Sequence, residues 1–282
     1  MSVMTAATRK PARTARRLAA LTVGVVALLV ALQLSLAGNA RSAGRAPKPT
    51  IVLVHGAWSD SSAWDGVIRD LTARGYTVDA FPTPLLGLMS DAETLADYIK
   101  TIPGPVVLVG HSYGGAVITN AATGLANVKS LVYVDAFAPA QSETLLQLSA
   151  AQPGSGLAGD PSTVFNAVPY AGAQNGDVEL YVKPPVFESA LANDLPASEA
   201  RLLATTQRPI PFSALATPSG PPAWAQLPSW YVVGTDDHAI PPAEQVAMAE
   251  RAGSHIVRVR APHLSMISNP EAVASVIESA AG

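Results

Sequence analysis

A Gly-x-Ser-x-Gly pentapeptide is the feature of the sequence that most directly suggests chemistry. It consists of Gly110, His111, Ser112, Tyr113 and Gly114, and it lies between an apolar run and a stretch of helical composition. In that context the glycines permit a turn too tight for side chains, and the serine hydroxyl is exposed at the carboxyl edge of a sheet. The helix N-terminus beside it favours developing negative charge. We therefore predict that Ser112 is a nucleophile.

A serine hydroxyl is a weak nucleophile and needs a base. The chain has five histidines, and only His263 stands in a short loop between the last predicted strand and the final predicted helix. A strand–serine–helix turn of this kind is followed along the chain first by the acid and then by the histidine. His263 is therefore the predicted base.

Two adjacent aspartates, Asp236 and Asp237, follow the predicted strand that precedes His263. The chain must turn there, so only one of them can reach the histidine, where a carboxylate would fix the imidazole tautomer and stabilise the imidazolium. We predict Asp237 for this role and keep Asp236 as the alternative. A metal site built on these aspartates and His238 is disfavoured, because no further ligand cluster accompanies them.

An oxyanion hole needs two backbone N–H groups. One is expected from Tyr113, directly after the nucleophile, and the other from Ala57, in the loop after the first strand. These residues together predict acyl transfer to water through a serine intermediate, which requires no cofactor and no metal.

The elements that must position these residues alternate between strand and helix. Apolar runs predict strands at residues 50–55, 76–81, 106–109, 131–134, 229–233 and 255–259. Helical spacing and capping signals, including a capping box at residues 90–93, predict helices at residues 61–74, 90–100, 116–122, 241–251 and from 269 onward. Such alternation predicts an α/β fold with a mainly parallel sheet and helices on both faces.

Residues 140–222 interrupt this alternation. Pro, Gly, Ser and Ala dominate there, no long strand is predicted, and short helices are predicted at residues 142–150 and 197–205. An insertion over the carboxyl ends of the strands is the natural place for substrate selection. We predict a helical lid; the alternative is a surface excursion without a role in binding.

The N-terminal segment differs in character from the rest of the chain. Residues 1–49 hold eight of the 18 Lys and Arg residues and no acidic residue, and residues 18–36 are almost wholly apolar. Small residues follow, so residues 1–40 have the layout of an export signal, the alternative being an uncleaved membrane anchor at residues 18–36. Residues 41–49 are a predicted linker, and residues 50–282 form the predicted domain.

Composition excludes several classes of function. The domain from Thr50 onward keeps 10 basic residues against all 21 acidic ones, which argues against a nucleic-acid partner. The absence of cysteine excludes disulfides and thiolate sites. The hydrophobic content of 49% predicts a well-filled core. A membrane would be a partner only if the N-terminal segment stayed uncleaved, and the oligomeric state is not indicated.

Four motifs carry a resemblance to a known family. The sequence VHGAW at 54–58, GHSYGG at 110–115, GTDDHAIPP at 234–242 and APHLSMISNPEAV at 261–273 resemble the α/β-hydrolase superfamily. Within it, the chain is most similar to the small serine esterases, a group that includes EstC-like carboxylesterases, plant methylesterases and hydroxynitrile lyases. This resemblance implies the α/β-hydrolase fold.

The resemblance also bears on the site. The family pattern Gly-x-x-Asp-x-x-Ile-Pro falls on Gly234, Asp237, Ile240 and Pro241, which supports Asp237 as the acid. Leu264 stands where lyases of this group carry a lysine, which weighs against the lyase activity.

The sequence therefore predicts an exported serine esterase that acts on a small-molecule ester. Apolar or aromatic substrates are expected, because the predicted lid contains several aromatic residues: Phe165, Tyr170, Tyr181, Phe187 and Phe212. The alternatives are a non-enzymatic ligand receptor on the same fold and a lyase, C–C hydrolase or cofactorless haloperoxidase-type activity.

Overall fold

The structure, a computed structural model, describes residues 47–282. The predicted signal or anchor at residues 1–40 and most of the predicted linker lie outside the described residues. Among the helices from residue 47 onward, none combines the length and the apolar character needed to cross a membrane.

A parallel sheet forms the centre of the described residues. Its six strands are arranged in the order β2-β1-β3-β4-β8-β9, and every neighbouring pair is parallel. The central strands are continuous apolar runs because both of their faces are covered. The strands are β1 Thr50–Val54, β2 Val78–Phe81, β3 Val106–His111, β4 Val128–Val134, β8 Ser229–Gly234 and β9 His255–Val259.

Helices cover both faces of this sheet. Because parallel crossovers are right-handed, the step from β1 out to β2 and the return to β3 place their connecting helices on opposite faces. Accordingly α1 packs against α11, while α2 packs against α3. The helices outside the insertion are α1 Asp65–Ala73, α2 Leu88–Lys100, α3 Tyr113–Ala121, α9 Pro242–Arg251, α10 Ser265–Ser268 and α11 Pro270–Ala281. The predicted mainly parallel sheet with helices on both faces is confirmed.

The reversal of strand order at β1 determines where a site can form. The chain runs from β1 to β2 on one side and then returns to β3 on the other side of β1. Ligands of such sheets bind beyond the carboxyl ends of the strands at this switch point. The loop that contains Ala57 follows β1, and the turn that contains Ser112 follows β3, so the two lie side by side.

The insertion between β4 and β8 contains both helices and strands. The helices predicted at residues 142–150 and 197–205 are confirmed as α4 and α7, with slightly different bounds. Its helical elements are α4 Leu145–Ala151, α5 Pro161–Val164, α6 Pro184–Val186, α7 Ala197–Thr206 and α8 Phe212–Ala216.

A small antiparallel sheet in the insertion was not predicted. Its strands are β5 Phe165–Pro169, β6 Val178–Val182 and β7 Ile210–Pro211, with β6 in the centre. The connection between β5 and β6 contains Asn175 and Gly176, both with positive φ. An Asn-Gly pair is a hairpin signal, so this part of the insertion was predictable from its turn.

The predicted start of α2 was wrong by two residues. The helix begins at Leu88 rather than at residue 90, and the Ser90 hydroxyl donates to the carbonyl of Gly87 rather than forming a capping box. Asp91 is completely buried, because its side chain is used in the tertiary contact described below.

Candidate active site

Ser112 lies in a strained turn between β3 and α3. Its φ is 51° and its ψ is −121°, a left-handed region that residues other than glycine seldom adopt. A Cβ atom at Gly110 would lie 2.5 Å from the carbonyl oxygen of Gly114. A Cβ atom at Gly114 would lie 2.8 Å from the carbonyl oxygen of His55. Gly110 is therefore required by the tightness of the turn itself, and Gly114 by the close approach of the turn to the end of β1.

The structure brings the predicted base to the predicted nucleophile. His263 follows β9, and its Nε2 atom lies 2.9 Å from Ser112 Oγ. Its Nδ1 atom lies 2.8 Å from Oδ2 of Asp237. The histidine and the aspartate are 1% and 2% exposed, respectively. The three side chains therefore form a hydrogen-bonded chain that is shielded from water.

Asp237 is held by several other donors. Its Oδ1 atom accepts from the backbone N–H groups of Ala239 and Ile240 at 2.7 and 2.9 Å, and Gln245 Nε2 donates to its Oδ2 atom at 2.7 Å. These donors orient the carboxylate so that one oxygen faces the histidine. Gln245 was not anticipated from the sequence, because its role depends on how α9 packs.

Asp236, the alternative acid, points elsewhere. Its side chain is about half exposed, and Oδ2 lies 3.7 Å from Nε of Arg260. Of the two adjacent aspartates, the structure therefore brings Asp237 and not Asp236 to His263.

The two predicted oxyanion residues border the same cavity. Ala57 and Tyr113 both line the cavity into which Ser112 and His263 open. Tyr113 is anchored from behind, because its hydroxyl donates to Asp91 Oδ2 at 2.7 Å and this pair is buried. Burial raises the pKa of Asp91. Sequence reasoning missed Asp91, since a helix-start aspartate ordinarily faces solvent.

A second buried carboxyl lies beneath the histidine loop. Asp135 follows β4 with a φ of 46° and is completely buried. Its Oδ2 atom accepts from the Ser265 N–H at 3.3 Å. Burial, followed by the nearby charge of Asp237, raises the pKa of Asp135 well above its ordinary value. Nothing in the local sequence indicated this residue.

Two buried histidines support the site without joining the chain of three. His111 Nε2 lies 2.8 Å from the His263 carbonyl oxygen and donates to it, which fixes the backbone of that loop. Burial lowers the pKa of His111 well below its ordinary value, and the neighbouring His263 lowers it further. For His55, burial lowers the pKa to about 4. Both imidazoles are thus neutral near pH 7.

The cavity above Ser112 is largely apolar. Its volume is about 120 Å³, and Ser112 and His263 lie at its floor. The insertion contributes much of its wall, so the insertion covers this site. Apolar wall residues include Trp58, Phe137, Leu145, Phe165, Leu180 and Phe212. Within residues 47–282, no cluster of His, Asp and Glu side chains is arranged to hold a metal ion.

Comparisons with known proteins show the family to which the chain belongs. A profile of the alpha/beta hydrolase family matches residues 51–276. The alpha/beta hydrolase nvfD of Aspergillus novofumigatus is 28% identical over 257 residues, which cover 83% of this chain and 97% of that protein. The pyrethroid hydrolase of Sphingobium wenxiniae is 28% identical over 246 residues, which cover 80% of this chain and 85% of that protein.

The fold is also similar to a solved structure. Polyneuridine aldehyde esterase superposes with a TM-score of 0.71 at 20% identity, covering 83% of this chain and 99% of that chain. This superposition confirms the predicted fold class, and the family profile over residues 51–276 confirms the resemblance predicted from the four motifs.

The neutral state of His55 predicts a specific dependence of stability on pH. Its pKa is 6.5 when unfolded and about 4 when folded, so between these values only the unfolded state binds the proton. Stability conferred by a neutral His55 is therefore complete above pH 6.5 and decreases as the pH falls toward 4, by about 3 kcal/mol in total. Urea unfolding should show that His55→Gln loses less stability than wild type across this interval.

The comparison at pH 8 serves as the reference for this experiment. The two proteins differ there only by the packing cost of the substitution, which is then subtracted. Parallel stability curves from pH 8 to pH 4 would contradict a neutral buried His55.

Proposed function

The chain belongs to the alpha/beta hydrolase family, and on this premise we propose that it is a serine hydrolase that cleaves carboxylic esters of small apolar or aromatic substrates. One observation carries the proposal: Ser112, His263 and Asp237 form an unbroken hydrogen-bonded chain at the floor of an apolar cavity. The relatives support the class of reaction, since they are named as hydrolases and an esterase.

The proposed reaction begins with attack by Ser112 Oγ on the ester carbonyl carbon. His263 Nε2 accepts the serine proton as the bond forms, and Asp237 stabilises the imidazolium. The backbone N–H groups of Ala57 and Tyr113 donate to the oxyanion. Collapse of this intermediate breaks the bond to the leaving alkoxide, which takes the proton from His263. Water then attacks the acyl-serine and loses its proton to the same histidine. His263 returns this proton to Ser112 Oγ as the bond between the acyl group and the serine breaks and the acid is released.

The cavity supports a neutral, apolar substrate. Apart from His263, the residues that line it carry no titratable side chain except the buried hydroxyl of Tyr113, which is engaged by Asp91. A charged group entering this space would lose its hydration without gaining a partner, which is costly. An ester with alkyl or aryl groups on both sides would instead gain from burial.

Replacement of the nucleophile gives the first test. Ser112→Ala should lose roughly 10⁶ in turnover of aryl esters, by analogy with other triads. Ser149→Ala is a matched control, because Ser149 lines the same cavity but its hydroxyl donates to the Leu145 carbonyl; it should keep most of the activity. Near-normal turnover by Ser112→Ala would exclude the proposed nucleophile. A ligand that binds without turnover, with no fluorophosphonate adduct on Ser112, would favour a receptor.

The two aspartates give a second, paired test. Asp237→Asn should lower kcat by about 10⁴, because an amide facing Nδ1 favours the wrong imidazole tautomer. Asp236→Asn should change kcat little, since that side chain is about half exposed and faces Arg260. Circular dichroism and thermal unfolding would verify that both variants fold. A larger loss in Asp236→Asn than in Asp237→Asn would reverse the assignment of the acid.

Export is a further part of the proposal and is supported by the sequence of residues 1–40. A removable signal predicts that the mature protein begins near residue 41 and is recovered outside the cytoplasm. N-terminal sequencing of the protein expressed with its full N-terminus would check this. A protein that retains residues 18–36 and sediments with membranes would instead support the anchor.

A further inference from the structure

We propose that Trp58 is a wall that sets the length of the substrate that the site accepts. The inference deepens the proposed function and rests on it. The cavity above Ser112, about 120 Å³ in volume, has a smaller neighbour of about 30 Å³. Ala57 and Trp58 line both cavities, and because Ala57 has only a methyl group, the Trp58 indole is the bulk of the partition between them.

The second cavity offers apolar surface on the far side of this partition. Leu191, Leu203 and Leu264 contribute this apolar surface, polar residues such as Asp60 and Gln207 line other parts of the cavity, and its small volume holds little more than a water molecule. An apolar chain that passed the position of the indole would therefore enter a space where burial is favourable. The wild-type protein excludes such a chain because the indole fills the path.

Several restraints hold Trp58 in the partition. Its Nε1–H donates to the carbonyl oxygen of Leu180 at 2.8 Å, and this bond is buried. Its ring stacks on Phe165, with ring centroids 5.7 Å apart and planes inclined by 26°. Only 6% of the residue is exposed. The indole is thus held against β5 and β6 of the insertion, and a change in its orientation would break both contacts.

The backbone of Trp58 is also strained. Its φ is 56°, a left-handed conformation that a bulky aromatic residue seldom adopts. Such strain persists only where surrounding contacts impose it, and it is concentrated at ligand clamps and active sites. Here the contacts to Leu180 and Phe165 impose it. The strained backbone aims the indole between the two cavities, immediately after the proposed oxyanion donor Ala57.

The test compares substrate length between wild type and Trp58→Ala. A series of aryl esters from acetyl to lauroyl, with kcat/KM measured for each, should show the optimum moving to longer acyl chains. The ratio of kcat/KM for long over short esters should rise about tenfold or more, as expected when two or more methylene groups gain a buried place. A series with the alcohol side lengthened identifies which end of the ester meets the wall.

Two further variants separate the wall from other roles of Trp58. Leu203→Ala enlarges the second cavity from its far side and leaves the partition intact, so its length profile should match wild type. Trp58→Phe keeps a ring in the partition but loses the bond to Leu180, and it should also keep the wild-type profile. If the optimal ester length shifts as much in Trp58→Phe as in Trp58→Ala, the effect belongs to the lost hydrogen bond, and the proposal that the ring limits substrate length is wrong.

Thermal unfolding verifies that each variant folds. If Trp58→Ala does not fold, Trp58→Leu replaces it and should show a smaller shift of the optimal ester length. Binding of the same esters to Ser112→Ala, with and without the Trp58 substitution, is measured by calorimetry. This second readout does not need turnover. An absence of turnover in wild type would reject the proposed function. Identical length profiles with and without the indole, in turnover or in binding, would reject the proposal that Trp58 limits substrate length.

Discussion

The backbone of Ser112 occupies a left-handed conformation because the turn that carries it is pressed against the end of the neighbouring strand β1. Gly114 allows this approach, since a Cβ atom there would collide with the backbone of Val54 and His55, and Gly110 allows the turn to close on the backbone of Gly114 and Gly115. The hydroxyl then stands at the carboxyl edge of the sheet, where β1, β3, β4, β8 and β9 end. His263, Asp237 and Ala57 reach it only because each follows a strand that ends at this edge. The remaining parts of the site therefore depend on one tightly packed turn.

The two buried carboxyl groups near His263, those of Asp237 and Asp135, have different surroundings. Asp237 accepts hydrogen bonds from two backbone N–H groups, from Gln245 and from His263, so both of its carboxylate oxygens are engaged. The carboxyl group of Asp135 contacts fewer hydrogen-bond donors than that of Asp237. Burial, together with the charge of Asp237, raises the pKa of Asp135 well above the ordinary value. Two like charges this close in a dry environment would repel strongly. The raised pKa of Asp135 is the response of the site to burial and to this repulsion.

Local sequence patterns were sufficient to predict the strands of the parallel sheet and most residues of the candidate site. The turn at residues 110–114, the loop that contains His263 and the strands before them have short local sequence patterns. Their positions in the structure are therefore close to the predicted ones. Asp91 and Asp135 were missed because a buried acid is defined by what packs around it, and neither the helix start nor the strand end reveals this. The antiparallel strands of the insertion were missed for a different reason: their Asn-Gly turn was present, but the abundance of Pro, Gly and Ala obscured the short strands around it.

The insertion and the sheet edge are separate segments of sequence, yet they contact at the loops that bear the proposed chemistry. Leu180 accepts from Trp58, directly after Ala57. On the opposite side, the Ser155 hydroxyl donates to the Ala239 carbonyl at 2.7 Å, and the Gly156 N–H donates to the His238 carbonyl at 2.7 Å, directly after Asp237. A substitution in the insertion can therefore change the position of the loop that contains Ala57 or of the loop that contains Asp237 through a single hydrogen bond. Under the proposed function, substrate selection and catalytic geometry are coupled, because the insertion is hydrogen-bonded to the loops that follow β1 and β8.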